Sequence, residues 1–365
     1  MRDIKNVTKE RESGIELLRI ILMLQVIYLH VSNFGEFGSI NHNWGGWHEL
    51  IYWINQTICR CPVYVFMIIS GYFSVTSKAN MATVWKKAGN VYLPMIFYSV
   101  VLTLVLCVSG LADFSGYNIV KSFFPVTSRT WYFMTVYLLV LILSPAVNAA
   151  LNKLSKRDFQ ILLCVLFFLF SIWQVLANFE PFSKIISIDS VMETKKGRGL
   201  YGFLFMYIIG AYIRLHTKRE EKIAWKYLLF FVGFAVLDII LVYAFDDVPV
   251  LENYVKIVNY NNAPVAILQG IMLFMFFRTL RFKSKVINRI SNHNLGVYMI
   301  HEHWLMRTVI WDKIFVATQN PVFYTSPFYL FKVYGIILVI YVSCWTIDLL
   351  RGYIFEGIKK VFKKK

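Results

Sequence analysis

The sequence predicts an all-α fold: a polytopic integral membrane helix bundle of about ten transmembrane helices, with both termini cytoplasmic. Three observations predict it. Apolar residues make up 58% of the 365 residues and charged ones only 16%; a soluble domain has roughly 45–50% and about 25%. Those apolar residues are grouped in stretches of about 20, the length that crosses a bilayer core about 30 Å thick. Lys and Arg alternate along the chain between one set of loops and the other.

The stretches, in order, are 15–34, 50–75, 90–110, 130–151, 159–178, 199–216, 226–245, 263–280, 288–311 and 328–350. The second is long and carries Pro62, a residue that removes a helical hydrogen bond and clashes with the preceding turn, so a kink or break is expected there. The ninth is the least apolar, with Ser291, Asn292, His293, Asn294, His301, Glu302 and His303 inside it. The first is not a cleaved leader, because it lacks a small-residue cleavage site and further spans follow it. There is no internal repeat and no Pro- or Gly/Ser-rich linker. The expected organisation is a cytoplasmic tail over 1–14, one transmembrane domain over 15–350, and a basic cytoplasmic tail over 351–365.

Orientation follows from the basic residues, which accumulate in cytoplasmic loops. With the N-terminus inside, 26 of the 38 Lys and Arg residues fall on the cytoplasmic side. The other side receives 11, and Arg19 lies within the first span. The net charge of +17 is therefore read as topology plus attraction to anionic head groups, with the C-terminal KKVFKKK as a lipid contact. No nucleic-acid partner is expected. Cys59, Cys61, Cys107, Cys164 and Cys344 form no disulfide framework and no metal-ligand pattern.

Ionisable side chains at membrane depth cost roughly 2.5–3.5 kcal/mol each at a helix centre, so each needs a physical reason. The sharpest pair is in the first span, GIELLRIILMLQVIYLH. Arg19 and His30 are 11 residues apart, three turns plus about 20°, so they share a helix face and lie about 16 Å apart along the axis. Glu16 is on the same face. Arg19 falls in the cytoplasmic third and His30 in the outer third. Taken singly, Arg19 is also read as snorkelling to head groups and His30 as sitting at the interface. The ninth span runs outward, so His301, Glu302 and His303 share the layer of His30. The expectation is that His301 or Glu302 faces one cavity with His30 and orients it or the acceptor. The bland reading places His303 and Glu302 in water at the outer end.

Several segments together resemble the membrane-bound acyltransferase 3 family. They are the Arg–ten residues–His spacing of the first span, RCPVYVFMIISGYF from Arg60 to Phe73, KKAGNVYLPMIFYS before the third span, the Trp-led WYFMTVYLLVLILSPAVN, and NLGVYMIHEHW. Their order covers nearly the whole chain. The resemblance implies an O-acyltransferase, usually an O-acetyltransferase, moving an acyl group from acetyl-CoA or another acyl-CoA to a hydroxyl of an extracytoplasmic carbohydrate. The acceptor would be a surface polysaccharide or a glycolipid, the location the cell membrane. It implies His30 as the residue that takes the hydroxyl's proton, a task suited to an imidazole. An acyl-His intermediate is the other route open to it. By resemblance Arg19 contacts the donor, where a planar guanidinium suits a CoA phosphate, or orders the pore.

Arg60, just before Pro62, is a second cation for the donor, for a developing oxyanion or for a carboxylate; its alternative is to reach out to head groups. Gly71 permits close backbone approach, by a ligand or a neighbouring helix. The outer segment GEFGSINHNWGGWHE places Glu36, Trp44 and Trp47 where aromatic faces can stack on a sugar, or serve as an interfacial belt. No metal is expected. Asp238 and Asp348 are further charges within spans, each expected to pair with an Arg. The rival reading is a transporter or flippase for a lipid-linked saccharide, which intramembrane polar groups would serve equally. Such proteins often carry paired repeats or broken helices at matched positions, and the sequence shows no such symmetry.

Overall fold

The computed structural model describes residues 11–34, 46–77, 81–179, 182–185, 197–246, 248, 254–258, 260–324 and 328–363. Every regular element among them is a helix. The principal ones are α1 (Ser13–Phe34), α2 (Gly46–Cys59), α3 (Pro62–Ser74), α4 (Met81–Val108), α5 (Gly116–Ser122), α6 (Tyr132–Leu151), α7 (Lys156–Phe167) and α8 (Trp173–Leu176). They continue with α9 (Leu200–His216), α10 (Ala224–Asp246), α11 (Pro264–Thr279), α12 (Lys285–Ser291), α13 (Asn294–His301), α14 (Trp304–Thr308) and α15 (Tyr329–Lys363).

Seven segments among the described residues are long and apolar enough to cross a membrane: Ser13–Phe34, His48–Ser74, Met81–Val108, Tyr132–Leu151, Lys156–Leu176, Glu221–Phe245 and Tyr329–Gly357. Leu200–His216 and Pro264–Thr279 are apolar but shorter. Large apolar side chains that a soluble protein would bury stand exposed, among them Trp225, Leu229 and Ile240 on α10 and Leu338 and Val342 on α15. Lipid is the solvent that makes such a surface stable.

The expected break at Pro62 occurs. α2 ends at Cys59 and α3 starts with Pro62 in its first turn, where the missing N–H costs nothing. The ninth stretch departs further from expectation. It is not one continuous span but α12, α13 and α14 in succession, closed by a π turn over Val309–Ile314. Its polar residues explain this. Asn292 and His293 stand at the first break, and Glu302 and His303 at the second. Non-helical backbone at membrane depth is tolerated where it is buried in protein or lines a cavity, and Asn292 and Glu302 line one.

α1 lies between two packing clusters. Its residues Met23, Val26 and Ile27 pack with α4, α13 and α15. Ile15, Leu18 and Leu22 pack with α3, α9 and α11. The α3–α9 contact is backbone to backbone. A Cβ on Gly71 would lie 1.9 Å from the Tyr207 carbonyl oxygen, and one on Gly210 would lie 2.1 Å from that of Ile68. Of the two readings of Gly71, helix packing is the one the structure supports. Asp348 of α15 reaches into α13 in the same way. It accepts hydrogen bonds from Tyr98 and from Arg351 Nε (2.9 Å), lies 2.6 Å from His293 Nδ1, and occupies the place of a Gly296 side chain.

Candidate active site

One stripe of α1 faces a cavity. Glu16, Arg19, Met23, Val26, His30 and Asn33 recur every three or four residues, the helical period, and all six line a single cavity of about 560 Å³. The opposite walls are Val63 and Phe66 of α3, Val91 of α4, Tyr132 and Phe133 of α6, and Asn294 and Tyr298 of α13. The shared face of Arg19 and His30 is thus the wall of one chamber, polar at both ends and mostly apolar between.

At the His30 end the geometry assigns protons. His301 Nδ1 lies 2.6 Å from the Val297 carbonyl oxygen. A carbonyl only accepts, so that nitrogen carries the hydrogen, and the neutral ring's Nε2 keeps a lone pair. That Nε2 is 3.1 Å from His30 Nδ1, which must therefore be the donor. The same His30 Nδ1 lies 3.2 Å from Glu302 Oε2. With hydrogen on Nδ1, the lone pair of His30 is on Nε2. The other Glu302 oxygen accepts from Arg307 Nη1 at 3.2 Å, and the Arg307 guanidinium sits 4.7 Å over the Phe34 ring. His30 is thus held by two residues that one helix end delivers together. Adjacent residues within a continuous helix point about 100° apart; the break after His301 is what lets both reach one imidazole.

The other end is cationic. Arg19 Nε is 3.8 Å from Glu16 Oε2, and Arg11 Nη1 is 4.0 Å from the same oxygen. The Ser291 hydroxyl donates to it at 2.5 Å, and Arg11 also bonds the Asn292 side chain. Two guanidiniums share one carboxylate, so this end keeps a surplus of positive charge.

His30, His301 and Glu302 each offer one ligand atom within 4.8 Å of the others, close enough to hold a metal ion. The Arg307 charge on Glu302 opposes a cation there.

Residues 12–347 match the family described as an acyltransferase domain. The chain belongs to the acyltransferase 3 family. Comparison with curated proteins and with solved structures gives no match. With its apolar helices, family membership makes the protein a multi-pass membrane acyltransferase. In this acyltransferase the structure brings His30, His301 and Glu302 together and sets Arg19 on the same chamber. His303 is elsewhere, buried against Trp131 and 3.5 Å from the Thr103 hydroxyl.

Arg60 is not brought to the chamber. It is buried outside it, ion-paired with Asp238 and donating to Gln269 Oε1 and the Val258 carbonyl, both at 3.2 Å. The Tyr254 hydroxyl donates to the other Asp238 oxygen at 2.8 Å. Of the readings of Arg60, the one that holds a carboxylate matches this placement. Glu36, Trp44 and the Trp47 side chain lie outside the described residues.

Sequence reasoning missed Arg198, Arg307, Tyr132 and Tyr298, all in the chamber wall. Arg307 had a signal: it follows Glu302 by five residues at the end of a span. Arg198 had only its place in KKGRG, where it counts as one more loop charge.

Proposed function

We propose that this acyltransferase moves an acyl group, acetyl in the first instance, from a cytoplasmic acyl-CoA to a hydroxyl of an extracytoplasmic carbohydrate, with His30 as general base. The observation that carries the proposal is the single chamber lined by both Arg19 and His30. Arg11 and Arg19 suit the phosphates of CoA at one end. The apolar middle suits the pantetheine arm, and the span of about 16 Å between the two residues suits its reach. The thioester then lies beside His30.

The chemistry follows from the assigned tautomer. His30 Nε2 takes the proton of the attacking hydroxyl as its oxygen bonds to the thioester carbonyl carbon. Glu302 Oε2, beside Nδ1, balances the imidazolium that forms, while His301 fixes the ring's orientation, a division of labour like that of a catalytic triad. Tyr298, whose ring stands in the chamber wall, donates its hydroxyl hydrogen to the developing oxyanion. When the carbon–sulfur bond breaks, the proton passes from Nε2 to the sulfur, and the products are free CoA and the acyl ester. Surface polysaccharides and glycolipids carry such hydroxyls outside the cell membrane, where this reading places the acceptor.

The test is acyl transfer by purified protein given acetyl-CoA and a panel of glycans, wild type against His30→Ala. Loss of about 10²–10⁴-fold in rate is expected, the usual contribution of a general base. Equal rates of CoA release from both proteins would refute the role of His30.

A further inference from the structure

The His30 end of the chamber holds more positive charge than its known partners balance. Arg198 and Arg307 both line it, and both act electrostatically on His30. Glu302 is the only carboxylate among the lining residues at this end, and it is occupied by Arg307 and His30. Arg198 has no ion pair or hydrogen bond among the described residues. When His30 takes a proton, Arg198, Arg307 and the imidazolium stand against the single carboxylate of Glu302 among the described lining residues of this end.

Arg198 is also presented by fixed backbone. Its neighbour Gly197 has φ +82°, which side-chain-bearing residues rarely adopt. A Cβ there would lie 2.1 Å from the Tyr64 hydroxyl and 2.7 Å from the Asn262 backbone nitrogen. Tyr64 donates that hydroxyl to the Gly197 carbonyl at 2.9 Å. Arg198 thus stands one residue before the N-cap of α9, Gly199. The dipole of that helix adds to its positive field. Asn33 and Asn261 line the same end and offer amide groups to hydroxyls.

We infer that the acceptor is an anionic carbohydrate, one bearing a carboxylate or phosphate close to the hydroxyl that is acylated, and that Arg198 binds this charge. The inference deepens the proposed function and rests on its assignment of the His30 end to the acceptor. The bound anion adds to Glu302 in offsetting the positive charge of this end, so the correct acceptor brings with it part of what the reaction needs.

Equilibrium binding tests this apart from turnover. The full-length protein in lipid nanodiscs is titrated with tetragalacturonate, with the same tetrasaccharide after carboxyl reduction, and with CoA. Wild type, Arg198→Ala and Arg198→Lys are compared. Wild type is expected to bind the acid about tenfold more tightly than the neutral form, the worth of one charge-assisted contact. Arg198→Ala should reduce binding of the acid to the neutral level, Arg198→Lys should keep part of the preference, and CoA should bind all three alike. Equal affinity of wild type for the acid and the neutral form overturns the inference. So does a loss of CoA affinity in Arg198→Ala, which would make Arg198 a donor residue. An intact preference for the acid without acetyl transfer to any glycan would refute the proposed function while leaving the anion site standing.

Discussion

Two of the Arg–carboxylate pairs in this protein, Arg60–Asp238 and Arg307–Glu302, do different things. Arg60–Asp238 is closed. Tyr254 takes the second oxygen of Asp238, Gln269 and a backbone carbonyl take further Arg60 hydrogens, and the cluster does not line the chamber. Arg307–Glu302 is open. Its second carboxylate oxygen faces the His30 imidazole rather than a full hydrogen-bonding shell, and it lines the chamber. An intramembrane charge is a reasonable first pointer to function, but burial alone does not separate a clamp from a site. Access does: the closed pair fastens α10 to the α2–α3 break, while the open pair lies on the chamber, where the proposed function has it support the base.

The largest expected effect is on the closed pair. Arg60→Ala or Asp238→Ala leaves one buried charge alone, and about 3–5 kcal/mol of stability should be lost, read as a lower melting temperature and less protein in the membrane. The double replacement Arg60→Met with Asp238→Leu should regain most of that stability and retain transfer activity. An inactive but stable double variant would mean that Arg60 acts in catalysis and would erase the distinction between the pairs.

Next comes the open pair. Glu302→Gln keeps the shape and removes the charge that balances the His30 imidazolium. The rate should drop about 10²-fold, with folding and CoA binding unchanged. A loss of stability as large as that of Asp238→Ala would make Glu302 another clamp.

The smallest effect is expected at His301. His301→Gln leaves a side chain that can still accept from His30 Nδ1, so the rate should decline by about tenfold, while His301→Ala should lose more. Equal activity of His301→Ala and wild type would show that the ring needs no such support.

Much of this was legible in the sequence because it rests on period and solvent. The length of the apolar stretches, the break at Pro62 and the shared face of Arg19 and His30 all follow from regular helix geometry. So did the common layer of His30 with His301 and Glu302, which required only counting from the other end of a span. What was not legible depends on tertiary approach. The partner of Arg60 is 178 positions away on α10. The breaks on either side of α13 turn two adjacent residues onto one imidazole, which a continuous span would forbid. Arg198 becomes part of the chamber only because Tyr64 and Asn262 hold Gly197 beside it. No spacing rule reaches such contacts.

The central claim is that one chamber joins a donor end at Arg19 to an acceptor end at His30. It is tested most directly with protein reconstituted in sealed vesicles, with labelled acetyl-CoA added outside only and the acceptor glycan trapped inside. The account predicts label on the enclosed glycan, carried by molecules oriented with the Arg19 end outward, and none with His30→Ala. Transfer that occurs only when donor and acceptor are on the same side of the membrane would contradict it.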